Sequence, residues 1–171
     1  MVDLATHVRT MQLFYHQAHH LVKGEAFGSD HKLFNSFYKE LDDSYDSIAE
    51  RTIMLLGSNA INLPDQVSQI THKLAILPPL NQLQHNRDFF QIGLMLEKEL
   101  CGRCAAHFQV QITEGTKNLL AQLCDESEQR QYKIHWLTFV AGPQYLQQYN
   151  FLQMGHQSNL ILYVIFVILV M

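Results

Sequence analysis

Apolar residues recur at intervals of three and four along most of the chain, the pattern of helices that each bury one face. Leu4, Val8, Met11, Phe14, Tyr15, Ala18 and then Leu21 or Val22 make the first stripe and predict a helix over residues 3–22. No Gly or Pro interrupts it, and Gly24 behind Lys23 is a helix-ending signal. Ser29 is placed to cap a second helix, with Asp30 in its first turn. That helix is predicted over 30–56, on a stripe running from Phe34 through Phe37, Leu41, Tyr45 and Ile48 to Leu55, with Gly57 at its end. The stretch 58–80 is too long for a hairpin turn. Within it Pro64 and Asp65 open a short helix carrying Val67, Ile70 and Leu74, which Pro78-Pro79 stops.

A third long helix is expected over about 81–108, on Leu83, Phe89 or Phe90, Leu94, Leu96 and Leu100, weakened by Gly93 and Gly102. Thr113-Glu114-Gly115-Thr116 opens a fourth, which carries Leu119, Leu120, Leu123, Tyr132 and Trp136 to about residue 139, before Gly142-Pro143. No β-hairpin and no internal repeat is visible. The pattern therefore predicts an all-α domain over residues 1–141, a four-helix bundle with a short helix in one long crossover connection. Residues 142–171 form a tail that is rich in Gln, Asn and Tyr and then apolar. Its periodicity fits a strand, a helix or an irregular segment equally.

Composition narrows the class. A length of 171 residues suits about one domain. Hydrophobic residues at 47% and charged residues at 16% suffice for a core and exclude a disordered chain. The apolar run from Leu160 to Met171 would cover roughly 18 Å as a helix, against a hydrocarbon thickness of about 30 Å, so no membrane span is expected. No basic segment precedes an apolar one at the start, so no secretory signal is expected. Cys101, Cys104 and Cys124 make no disulfide framework and fit a reduced, cytoplasmic setting. Cys101 and Cys104 form a Cys-x-x-Cys pair that suggests zinc or redox work, but no second pair completes a zinc site, and buried thiols are the plainer reading. A net charge of −4 argues against nucleic-acid binding by bulk charge. The 10 histidines are many for this length and direct the search for chemistry.

His19, His31, Asp46 and Glu50 stand out around the first two helices. Asp46 and Glu50 are four apart, so both carboxylates project from one helical face. Carboxylates with imidazoles are the ligand set that redox-active iron needs: oxygen donors hold the ferric product and imidazole suits Fe(II). His31 and Asp46 lie 15 positions apart on one helix, about 22 Å along its axis. Metal–ligand distances are about 2 Å, so one copy of the helix cannot put both on one ion. Two copies packed antiparallel across a two-fold axis can.

The segment from Gln17 through His19, His20 and Gly24, then Phe27 and His31, and finally Asp46-Ser47-Ile48-Ala49-Glu50-Arg51, resembles the Dps miniferritins in residue types and in every spacer. The resemblance is strong over residues 5–57 and architectural over 60–139. It implies a ferritin-like bundle, a hollow homo-oligomeric shell of twelve subunits, and ferroxidase centres at two-fold interfaces. There Fe(II) is oxidised, usually by hydrogen peroxide, and stored inside as ferric mineral, which protects against oxidative damage. Carried over, His19 and His31 come from one subunit and Asp46 and Glu50 from its mate.

Two positions depart from the family pattern. Asn35 stands where an Asp usually follows the second His, which weakens the second iron position; Asp30, Asp42 or Asp43 is a possible substitute ligand. His20 stands where Trp is frequent, and either adds a ligand or fills the space. The lysine-rich N-terminal arm that binds DNA in many members is missing from the first ten residues, where Arg9 faces Asp3 in number, so DNA binding through this end is not expected. Arg51 reads as an ion-pair partner for a carboxylate, and Phe34, Tyr38 and Tyr45 as core, with either tyrosine also a candidate electron donor. The alternative function is a shell or interaction protein of the same fold with a weakened site, motivated by Asn35. A membrane-associated role, motivated by the apolar tail, ranks below both.

Overall fold

A computed structural model describes residues 1–140, and the tail from residue 142 onward lies outside the described residues. The described residues contain five helices and no strand: α1 (Val2–Leu21), α2 (Phe27–Leu56), α3 (Leu63–Ala75), α4 (Asn86–His107) and α5 (Glu114–His135). Single 3-10 turns, Ser58–Ala60 and Leu80–Gln82, flank α3, and a π-helical turn over Trp136–Val140 follows α5. None of these helices is long and apolar enough to cross a membrane.

The helix ends follow from local chemistry. Gly24 and Gly57, with φ of +80° and +91°, break the chain where other residues would be strained. The expected Ser29 cap is not made. Phe27 N–H donates to Gly24 C=O at 3.0 Å, so the turn closes early and α2 starts at Phe27. Ser29 Oγ then donates back to Ala26 C=O at 2.8 Å. Asn62 caps α3, accepting from Asp65 N–H, with Pro64 in the first turn, where its missing N–H is harmless. The third long helix starts at Asn86 rather than near 81, because His85 and Asp88 satisfy each other's backbone N–H groups in a reciprocal cap. Thr113 caps α5 by accepting from Thr116 N–H.

α1 packs along α2 and α4 along α5, each pair a helical hairpin. The hairpins meet through α1 with α4 and α2 with α5, and α3 lies against α1. Leu4, Val8, Met11, Phe14, Phe34, Phe37, Leu41, Leu100 and Leu120 are fully buried in the shared core. Burial of each such side chain contributes about 1.5–3 kcal/mol for the larger ones.

A polar knot sits inside this core. Arg130 donates to Glu97 through Nε at 2.8 Å and Nη2 at 3.2 Å. Tyr15 Oη donates to Glu97 Oε1 at 2.9 Å, and Ser127 Oγ donates to Oε2 at 2.7 Å. All four side chains are fully buried. Burial opposes the charge on Arg130, but the Glu97 carboxylate outweighs it and its pKa is raised. Burial, reinforced by Glu97, also pushes the Tyr15 phenol well above its ordinary value. Removing either member of such a pair strands a buried charge, at a cost of about 3–5 kcal/mol. Neither residue figures in the sequence reading, yet both lie on apolar stripes, Gly93–Glu97–Leu100–Cys104 and Leu123–Ser127–Arg130–Ile134. A charge at a stripe position on each of two helices is the available signal for this knot.

Candidate metal centre

The tight turn after α1 brings the last turn of α1 beside the first turns of α2, and with them His19 and His31. Their rings stack, with centroids 3.7 Å apart and planes at 27°. His19 Nδ1 lies 2.9 Å from the main-chain oxygen of His31, and His31 Nδ1 lies 2.7 Å from that of His19. A carbonyl can only accept, so both Nδ1 atoms donate. In the neutral rings this leaves each Nε2 with a free lone pair. A ligating histidine has its tautomer and ring orientation fixed in just this way, by donation from the other nitrogen. Both imidazoles are half-buried, and Phe27 packs 5.0 Å from the His31 ring.

Two more histidines join the pair. His20 is exposed, with its ring 4.8 Å from both His16 and His19. His16 also lies 4.7 Å from Tyr38, whose ring is 5.7 Å from His19. His16 stands outside the expected ligand set, although its spacing of three and four from His19 and His20 puts all three on one side of α1.

Asp46 and Glu50 lie farther along α2, exposed and outside every ion pair among the described residues. The continuous helix keeps Asp46 about 22 Å along the axis from His31. Among the described residues no three His, Cys, Asp or Glu side chains of the one chain are placed to hold a metal ion. The histidine pair, where α1 turns into α2, and the carboxylate pair, farther along α2, thus stand apart.

The secondary candidates divide. Asn35 is half-buried one turn beyond His31. Asp42 accepts from Arg9 at 2.9 Å, with Arg9 half-buried and Asp42 exposed. Asp30 is buried and accepts from Asn86 Nδ2 at 2.7 Å, so it ties α2 to the start of α4. Arg51 departs from the expectation of a carboxylate partner: it reaches the Thr116 hydroxyl at 3.3 Å and covers Gly115 at the start of α5. Tyr45, one of the two candidate electron donors, donates to Gln66 at 2.8 Å. A groove of ≈ 370 Å³ between α2 and α5 presents Glu40, Asp43 and Glu126 opposite a single lysine, Lys133.

No family model, curated protein or solved structure matches the chain.

Proposed function

We propose that this chain is an iron-oxidising and iron-storing miniferritin, its four long helices forming a ferritin-like bundle. Fe(II) is the substrate, bound between His19 and His31 of one subunit and Asp46 and Glu50 of its mate. The observation that carries this reading is the reciprocal bonding of His19 and His31. It leaves an Nε2 lone pair on each neutral ring for a cation, while among the described residues Asp46 and Glu50 stand in no ion pair. In this arrangement the imidazoles hold the ferrous ion and the carboxylates stabilise the ferric product. Hydrogen peroxide takes one electron from each of two Fe(II) ions and, with two protons, leaves as two waters.

The apolar surface supports a shared site. Met54, Leu56, Leu63 and Val67 are exposed at the far end of α2 and along α3, and a face of this kind suits contact between subunits. A second reading, a shell of the same fold with a weakened site, is favoured by Asn35, whose neutral amide lowers the negative charge available to a second iron. Iron-oxidation kinetics separate the two.

The test uses His31→Ala and Glu50→Ala subunits. Each alone should lose all ferroxidase activity, because every site lacks one ligand. In a mixed dimer one site collects both lesions and the other collects neither, so co-assembly should restore half of the sites of each mixed dimer. If proven mixed assemblies stay as inactive as the separate variants, the shared site is wrong.

A further inference from the structure

His16 and His20 stand four positions apart on α1, so successive turns place them on one face. The same spacing carries the two zinc-binding histidines of helical His-Glu-x-x-His motifs. Gln17 stands where those motifs have a catalytic glutamate, so this pair is fitted to hold a cation rather than to hydrolyse a bond. Both side chains are exposed, and among the described residues neither imidazole is engaged in a hydrogen bond or an ion pair. Tyr38 of α2 packs against His16, with ring centres 4.7 Å apart, and limits where that ring can turn.

The two rings are already placed for a chelate. Their centres lie 4.8 Å apart, with planes at 64°. A ring nitrogen binds a metal at about 2.0–2.1 Å, which sets the ring centre roughly 3.2 Å from the ion. Two rings meeting the ion at square-planar or tetrahedral angles then have centres roughly 4.5–5.2 Å apart. The separation of His16 and His20 falls inside that window, and the 6.4 Å between His16 and His19 falls outside it. His20 is also 4.8 Å from His19. Adjacent residues on a helix point about 100° apart, however, and His19 Nδ1 is held by the His31 main-chain oxygen. In His16 and His20 either ring nitrogen is free to carry the lone pair.

We propose that His16 and His20 form a two-histidine site for a divalent transition cation that favours imidazole, Cu(II) most tightly. Imidazole suits copper, nickel and zinc, and affinity among these divalent ions peaks at Cu(II). Water takes the remaining positions, since among the described residues no third His, Cys, Asp or Glu side chain completes the set. The cation bridges successive turns of α1, so it binds the folded chain more tightly than the unfolded one and stabilises the fold.

The site uses none of the four residues proposed to bind iron, and its test keeps the two apart. The full chain, made without a histidine tag and stripped of metal, is titrated with Cu(II) against a weak competing chelator. Electron paramagnetic resonance counts the nitrogens on the tightest-bound ion. The native chain should bind one such Cu(II) on two imidazole nitrogens, and Zn(II) should compete for it more weakly. His16→Ala and His20→Ala, both at exposed positions, should keep their helicity by circular dichroism and weaken that binding at least about tenfold. His31→Ala and Glu50→Ala, which remove iron ligands, should keep the native affinity for Cu(II). The native chain unfolded in urea, which needs no variant to fold, should bind Cu(II) at least about tenfold more weakly than the folded chain. Native affinity in His16→Ala would overturn the proposal, as would affinity lost only in His19→Ala or His31→Ala, which would place the cation on those rings. Equal affinity of the folded and the urea-unfolded chain would overturn it too, because the geometry of α1 would then contribute nothing.

Discussion

His7 shows how one buried side chain can tune stability. It is 1% exposed on α1, and its Nε2 lies 3.0 Å from the Leu96 carbonyl on α4, to which it donates. Its Nδ1 lies 3.7 Å from Glu99. Burial lowers its pKa, while the Leu96 bond and Glu99 resist, Lys73 adds to the lowering, and burial prevails. The folded chain therefore keeps His7 neutral at pH values where the unfolded chain, at about 6.5, takes up a proton. Below that point the unfolded state binds more protons, so stability falls as pH falls toward the depressed folded value. The slope from this one residue is at most about 1.4 kcal/mol per pH unit. We predict that melting temperature drops between pH 7 and pH values below about 6.5, and that His7→Gln flattens the drop. An unchanged slope in a folded His7→Gln chain would locate the effect elsewhere.

At the scale of the element, two glycines of α4 should respond oppositely to the same change. A Cβ on Gly93 would come within 2.9 Å of Tyr15 Oη, and Tyr15 cannot yield, since it is fully buried and held by Glu97. A Cβ on Gly102 would meet nothing. Gly93→Ala should therefore destabilise by about 1–3 kcal/mol through overpacking. Gly102→Ala should stabilise by about 0.5–1 kcal/mol, because alanine has less backbone entropy to lose in a helix. Chemical denaturation of both variants checks the pair of signs. Equal shifts would mean that α1 and α4 do not meet as closely as Tyr15 requires. The same two glycines weaken the helix in the sequence pattern, and only their neighbours tell them apart.

For the whole molecule the question is assembly. Leu63 is 69% exposed and Leu56 63%, and Met54 and Val67 are exposed as well. If the proposed shell is right, light scattering should report a particle near twelve subunits, and Leu56→Glu with Leu63→Glu should reduce it to smaller species without loss of helicity. A native chain that stays monomeric at micromolar concentration would remove both the shell and the shared metal site. Those two conclusions stand together, because the α2 spacing leaves no single-chain alternative for His31 and Asp46.

Most of the helices and their breaks followed from the order of residues, since a helix is built from contacts three and four positions apart and begun or ended by local chemistry at Gly24, Gly57, Pro64 and Thr113. The candidate ligands His19, His31, Asp46 and Glu50 were also visible there, as was the distance along α2 that separates them. α2 starts at Phe27, ahead of Ser29, because the Gly24 turn closes first. Other features depend on how one helix is rotated and shifted against another, which no local pattern encodes. The pairing of Glu97 with Arg130, the seat of His7 against Leu96, and the Nδ1 bonds that set the tautomers of His19 and His31 all join residues on different helices. Each became definite only when side-chain packing chose one register for the helices concerned.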